Sequence, residues 1–302
     1  MMFSPWRILA HQPKGKSNMS LNLITSQGSN QKLAKGMAKL GILNFGLNLL
    51  PALLGGFSTV CRNATRGCMA LCIHYTGVPM MMQTKNKGRK RRTDLYFENR
   101  SLFHELLTKD IIKLIKKAGK NMLVLRLNMT SDLRSLTLVY AAKFKVHSNV
   151  WFVEYTKMPI TQIFVNFINK LGNVWITFSR SETNDKECFK SIDLGVNVAV
   201  VLGGLKYKMI LDKKSGKRKR KDDPMIRWFR GRKVIDGDVT DLRHLDGKSD
   251  DGKGLYVGLR GKGQARMEHR WNRSGFVVWG MDKWRRQIVH GPQTLTSWER
   301  SA

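Results

Sequence analysis

The sequence predicts an α/β protein built on a parallel β/α core, a partial or complete TIM-barrel-like array, with a cysteine-bearing loop ahead of it and a β-rich region behind. Three observations carry that expectation. Short apolar runs alternate with helical patterns repeatedly between residues 121 and 202. The runs are continuously apolar, as strands covered on both faces of a parallel sheet are, and do not alternate polar with apolar. Each intervening segment is long enough for the crossover helix that parallel neighbours require.

Residues 1–25 read as a basic, polar lead-in, without the apolar stretch or small-residue cleavage pattern of a secretory signal. The longest apolar stretch, 40–57, is broken by Asn44, Asn48, Pro51 and paired glycines and is too polar for a membrane span. The α/β core is expected over 26–205. Within it, Ser101 to Ala118 carries apolar residues at 102, 103, 106, 107, 111, 112, 114 and 115, an amphipathic packing helix with lysines on its other side. Met122–Leu127 reads as a strand, after which Ser131-Asp132 caps a helix to about Lys145. Val150–Tyr155 is the second strand, followed by a helix over 160–171. Val174–Phe178 and a helix over 184–192 come next, and Val196–Leu202 closes the series. Residues 206–223 form a basic loop. From Pro224 to 302 the pattern turns β-rich and ends in a Trp/Arg-rich tail.

Lys plus Arg number 54 against 22 Asp plus Glu, a net charge of +32, which is foreign to an ordinary enzyme of neutral metabolites. A hydrophobic content of 42% with seven prolines excludes a disordered, histone-tail-like chain. The expected partner is nucleic acid, with an acidic host protein as the alternative. Much of the charge lies in runs. Lys87, Arg89, Lys90, Arg91 and Arg92 belong to one, over 85–92, and Lys217, Arg218, Lys219 and Arg220 to another, over 213–221; both are expected as mobile loops able to embrace a phosphate backbone, with a localisation signal or plain solvated surface as the alternatives. Trp284, Arg285 and Arg286 interleave ring and charge in the tail, as base stacking with phosphate neutralisation requires.

Cys61, Cys68 and Cys72 fall within twelve residues, flanked by Gly55, Gly56 and Gly67. Three thiolates on such a loop can hold three irons of a four-iron cluster and leave the fourth open to substrate or to a cofactor such as S-adenosylmethionine. With Cys188 or His74 as fourth ligand they can instead close a structural zinc site, and as unliganded thiols they are simply core. So few cysteines make no disulfide framework and point to a reducing compartment. Carboxyl ends of parallel strands gather functional groups, and here they carry Arg126, Asn128, Ser131 and Asp132, then Glu154 and Lys157, then Ser179, Ser181 and Glu182. Asp132, Glu154 and Glu182 are candidate acid-base groups, although Asp132 also suits a helix cap. Arg126 and Lys157 are candidate anion ligands; Asn128, Ser131, Ser179 and Ser181 are further candidates for cofactor contact. Asp236, Asp238 and Asp241 compose either a cation-binding turn or one stapled by Asx bonds and Arg243. No phosphate-binding GxxxxGK[ST] loop and no rolling-circle His pair occurs.

Taken in order, GSNQKL (28–33), the three cysteines, Arg126 with Ser131-Asp132, Glu154–Lys157, Phe178–Glu182, Asn197–Val201, Ile235–Arg243 and Gly258–Gly263 resemble the bacteriophage gene product 88 family, over roughly 25–277. The resemblance implies a phage or mobile-element origin, expression in the bacterial host cytoplasm, and a barrel-like α/β core carrying a cysteine cluster. The function expected is a nucleic-acid-associated iron–sulfur enzyme. A zinc-stabilised, non-catalytic binding module and a metal-dependent nuclease are the alternatives.

Overall fold

The computed structural model describes residues 22–25, 41–75, 83–205, 207–211, 218–222, 224–266 and 274–279. Seven strands run parallel in the spatial order β2 (Leu43–Leu47), β3 (Leu123–Arg126), β4 (Val150–Thr156), β5 (Val174–Ser179), β6 (Asn197–Leu202), β11 (Tyr256–Arg260) and β10 (Arg232–Asp236). Antiparallel β1 (Ile24–Thr25) and β9 (Trp228–Phe229) edge the two ends. Leu202 pairs with both Arg260 of β11 and Val278 of β12 (Val277–Val278), so β12 lies along the β5 side of β6, beyond the end of the β5 ladder. The strand order is sequential as far as β6, as expected. The sheet is mostly parallel, and among the described residues no ladder joins its two ends.

The β-rich region set apart in the sequence gives β9 to β12 to this same sheet. The basic segment 206–223 is not simply a loop. Its described residues form a hairpin, β7 (Tyr207–Leu211) antiparallel to β8 (Arg218–Asp222), and Lys217 lies outside the described residues.

One sheet face carries all the long helices. Leu123, Leu125, Val150, Phe152, Val174, Ile176, Phe178, Val198 and Val200 alternate onto it and share one core with helix residues. The helical contributors are Phe103, Leu107 and Ile111 of α3 (Arg100–Ala118), Leu136 and Tyr140 of α4 (Arg134–Lys143), Val165, Ile168 and Leu171 of α5 (Gln162–Leu171), and Cys188 and Ile192 of α6 (Asp185–Asp193). The i, i+4, i+8 spacing of Phe103, Leu107 and Ile111 makes the α3 stripe; each is fully buried and contributes about 1.5–3 kcal/mol. Thr161 caps α5 through the Phe164 N–H, and Gly172, at φ 77°, ends it in the left-handed conformation that suits glycine. α4 starts later than expected, at Arg134, without a side-chain cap. The expected cap, Asp132, faces elsewhere.

The opposite face is covered differently. Ile42, Val124 and Val153 pack there with Met122, Trp151 and Trp175 beneath Leu242, and the following short turn of 3-10 helix, Arg243–Leu245, stacks His244 on Trp151 with ring centroids 5.7 Å apart. The run 85–92, expected as a loop, is instead the middle of a helix, α2 (Gln83–Glu98). None of the described helices is long and apolar enough to cross a membrane.

Candidate functional site

The loop leaving β2 is pinned to its neighbours. Leu50 N–H donates to Thr93 Oγ1 on α2 at 2.9 Å, Thr130 Oγ1 donates to Leu49 O at 2.6 Å, and Asp132 N–H donates to Val60 O at 2.9 Å. The loop after β2 therefore lies beside the loop after β3, and its cysteines arrive at the carboxyl ends of the parallel strands, where such sheets place their sites. Cys61, Cys68 and Cys72 are free and half-buried. Cys61 Sγ accepts from Ala52 N–H at 3.5 Å and lies 3.7 Å from Thr130 O. Burial pushes the Cys61 thiol up to about 11, with like charge from Asp132, Cys68 and Cys72 adding to it. Burial also raises Cys72, which feels Cys68, Lys157 and Arg89. Each sulfur is thus within electrostatic reach of the other two.

Cys68 sits on a one-turn helix, α1 (Arg66–Ala70), that a distant carboxylate holds in place. Glu182 Oε1 accepts from Gly67 N–H at 2.7 Å, and Oε2 accepts from Thr65 Oγ1 at 2.7 Å. Thr65 Oγ1 in turn accepts from Cys68 N–H at 3.2 Å, the N-cap bond of α1. The approach is so close that a Cβ on Gly67 would lie 2.6 Å from Ser274 Oγ, 2.8 Å from Phe276 Cβ and 2.9 Å from Glu182 Oε1. Only glycine fits there. Cys68 then packs on Leu71, Ala265, Phe276 and Val277, which ties the cysteine loop to β12. Glu182 thus engages both carboxylate oxygens in holding α1.

Lys157, just past β4, faces the cysteines. Burial alone would lower its pKa, but Cys68, together with Asp132 and Cys61, raises it. Asp132 holds the strand end that presents it, accepting from Thr156 Oγ1 at 2.7 Å and from Lys157 N–H at 2.8 Å. Arg126 lies over the Tyr155 ring at 4.3 Å, and its buried Nε has no hydrogen-bond partner. Lys157 and Arg126 are the two expected anion ligands, and both carry a positive charge beyond or along the sheet face that the helices leave open.

Other candidates are used elsewhere. Glu154 alternates with Phe152 onto the helix-covered face, where Oε2 accepts from Asn128 Nδ2 at 2.8 Å and from Thr137 Oγ1 of α4. Asn128 also accepts from Ser131 Oγ at 2.7 Å and from Leu133 N–H at 3.0 Å, so Asn128 and Ser131 close a structural network. The turn after β5 is built on Asn184, which accepts from Ser181 N–H at 2.6 Å and donates to Ser179 O at 3.0 Å. Cys188 is buried on α6, pushed up to about 12 by burial, and its charged neighbours are Asp185, Arg180, Arg230 and Glu187. The structure does not bring it to the other three cysteines. His74 is buried with Nδ1 2.6 Å from Arg89 Nη1, which has only hydrogens to give, so that nitrogen accepts and is committed.

The acidic turn after β10 is an ion-pair staple. Arg260 grips Asp236 through Nη1 and Nη2, both at 2.8 Å, while Asp238 accepts from Arg260 N–H at 2.8 Å and from Lys262 Nζ at 2.7 Å. Burial pushes Asp238 up, but Lys262 and Arg260 outweigh it and hold the carboxyl below its usual range. A depressed folded-state pKa stabilises above the unfolded value and is lost as pH falls through the folded one. Asp238→Asn is therefore expected to cost about 1–3 kcal/mol at pH 7 and progressively less as pH falls below the ordinary carboxylate range, in urea titrations. Magnesium is expected to leave the wild-type midpoint unmoved; a shift would restore the cation-site reading.

Among the basic candidates, α2 turns Lys87, Lys90 and Arg91 to solvent but Arg89 inward to His74, and it half-buries Arg92, whose Nε donates to Asn22 O at 3.3 Å. Arg218, Lys219 and Arg220 lie on β8. Trp284, Arg285 and Arg286 lie outside the described residues, as does the segment 28–33. Thr65 was missed by sequence reasoning, although Thr65-x-x-Cys68 has N-cap spacing; so was the Arg89–His74 pair, for which spacing offers no signal.

Fold and site together define a mostly parallel α/β protein with a three-cysteine loop at the carboxyl end of its first parallel strand, faced by Lys157 and Arg89. The chain belongs to the phage family Gene product 88, whose family model matches residues 22–278. No curated protein and no solved structure matches it.

Proposed function

We propose that the chain is an iron–sulfur protein acting on a nucleic acid or nucleotide, with Cys61, Cys68 and Cys72 as cluster ligands. The observation that carries this reading is three free thiols on one loop at the strand ends, with the positive charges of Lys157 and Arg89 acting on them. Three thiols are the donor number that a four-iron cluster with one open iron takes. Among the described residues, no three His, Cys, Asp or Glu side chains are arranged to hold a single metal ion. A four-iron cluster spreads its ligands over separate irons, so the sulfurs need to surround it and not to meet at one point. The cluster, when bound, supplies one-electron chemistry and an iron open to a ligand. Lys157 and Arg89 offset the negative charge of the thiolates, lowering the cost of ionising groups that burial otherwise keeps protonated. Arg126 and Lys157 are suited to an anionic group of cofactor or substrate, a carboxylate of S-adenosylmethionine or a phosphate.

The α2 face with Lys87 and Arg91 one helical turn apart supports a nucleic-acid substrate, and it is also what a purely binding protein would need. Anaerobic purification, iron and sulfide analysis and an absorbance spectrum test the reading. About four irons per chain with a broad visible band are expected. Colourless, fully folded protein after reconstitution would sink it and leave the binding reading.

A further inference from the structure

The sheet face that the long helices leave open carries hydrogen-bond donors with nothing to bond. Val124, Val153 and Trp175 pack on that face, so the period of two puts Arg126, Tyr155 and Thr177 on it as well, one step nearer the carboxyl ends of three adjacent strands. The three are contiguous. Arg126 lies 4.3 Å over the Tyr155 ring, and Tyr155 pairs with Thr177 across the ladder between β4 and β5. Arg126 makes no hydrogen bond or ion pair with the described residues, and its Nε is buried without an acceptor. Thr177 is fully buried, and its Oγ1 has no partner either. The Leu242 turn covers the amino end of the face, whereas Arg126, Tyr155 and Lys157 are only half-buried, so a small ligand can reach it from the carboxyl end.

We infer that Arg126 and Tyr155 bind a terminal phosphate, with Thr177 at the floor of the site and Lys157 as the second cation. The inference rests on the nucleotide or nucleic-acid part of the proposed function and needs no iron. Stacking on an aromatic ring uses the flat face of a guanidinium and leaves its in-plane N–H groups free. Tyr155 therefore holds Arg126 in one orientation with its fork unspent, and such a fork takes two phosphate oxygens at once. Burial pushes the Tyr155 hydroxyl up to about 12, against the pull of Arg243 and Arg126, so it stays a neutral O–H able to donate. Asp132 is the carboxylate that acts on Lys157, and its oxygens are already taken by the Thr156 hydroxyl and the Lys157 N–H. Two cations suit a phosphate monoester, which carries about −1.5 to −2 at pH 7, better than a carboxylate, which carries one charge. A phosphodiester within a strand has one charge and two bulky substituents, which half-buried donors exclude. The phosphate is thus a terminal one, on a free nucleotide or at the 5′ end of a strand.

The test is isothermal titration calorimetry of the full chain with two pairs of probes and S-adenosylmethionine. One pair is a nucleoside 5′-monophosphate and its nucleoside; the other is a short strand with a 5′-phosphate and the same strand with a 5′-hydroxyl. Wild type is expected to bind the phosphate-bearing member about tenfold or more tightly in at least one pair, and the pair that shows it separates the two sources. Arg126→Gln is expected to remove most of that difference, and Arg126→Lys to recover little of it, since a point charge replaces the fork. Tyr155→Phe keeps the ring and the stack and is expected to weaken binding by about threefold to tenfold. Equal binding of the two members in both pairs overturns the inference, and so does unchanged affinity in Arg126→Gln. Tighter binding of S-adenosylmethionine than of any phosphate probe, with the same loss in Arg126→Gln, also overturns it and assigns the face to a carboxylate. Circular dichroism shows which variants fold; if Arg126→Gln does not, Arg126→Lys and Tyr155→Phe decide by the same criteria. Phosphate binding by iron-free protein leaves the inference standing without the cluster, and iron without a phosphate preference does the reverse.

Discussion

On the proposed iron–sulfur function, Glu182→Ala is expected to strip most of the iron from reconstituted protein, and in any case to destabilise the fold by about 2 kcal/mol. The carboxylate takes the Gly67 N–H on one oxygen and the Thr65 hydroxyl on the other, and Thr65 passes the constraint to the Cys68 N–H. Removing it leaves the amide of Gly67 beside Ser274 and Phe276 without its acceptor and lets α1 drift. Because Glu182 is half-exposed, water recovers part of the loss, which is why the stability figure is small while the effect on ligand geometry is large. Glu182→Gln keeps an acceptor for Gly67 and is expected to retain an intermediate amount of iron. Thr65→Val should reproduce the defect and Thr65→Ser should not. The double variant of Glu182 and Thr65 is expected to be no worse than the poorer single, as for residues acting in one chain of contacts. Iron content is the deciding readout, with circular dichroism to show that the fold persists. Full iron in Glu182→Ala would remove the positioning role.

The core strands were legible because a strand buried on both faces reads as a continuous apolar run, and α3 because its stripe is apolar. α2 was not, and the reason is physical. Its inward positions Arg89, Thr93 and Tyr96 have helical spacing, but two of them are polar, so a search for apolar periodicity finds none. What buries Arg89 is a histidine from another segment. The Cys61, Cys68 and Cys72 grouping was visible from spacing alone. The clamp that organises it was not, because Glu182 lies 115 residues from Gly67 and a helix cap ordinarily comes from its own turn. The placement of Glu154 was recoverable: it shares the period-two face of Phe152, so the strand end that presents Lys157 cannot also present Glu154 to the same side.

That face decides the second large expectation, which concerns pH. Glu154 is fully buried on the helix side, and burial pushes its carboxyl up to about 8, against the opposing pull of Thr137 and Asn128. The unfolded chain releases this proton near 4.5, so between there and 8 the folded state binds the extra proton. Stability then falls as pH rises through that window and levels off above it, the reverse of a salt-bridged carboxylate. The shift corresponds to a fall of roughly 5 kcal/mol at most. Glu154→Gln keeps an oxygen for Asn128 and Thr137 and cannot ionise. It is therefore expected to match wild type near pH 5 and to exceed it by several kcal/mol at pH 8, in urea titrations at each pH. Glu154→Ala lacks the acceptor altogether and should be weaker at both, since Asn128 and Thr137 lose their buried partner. A wild-type curve that rises between pH 5 and 8, or a Gln variant parallel to it, would mean that Glu154 is ionised in the folded protein. The carboxylate would then need a cation on the helix side, where the amide of Asn128 and the hydroxyl of Thr137 are the donors that touch it.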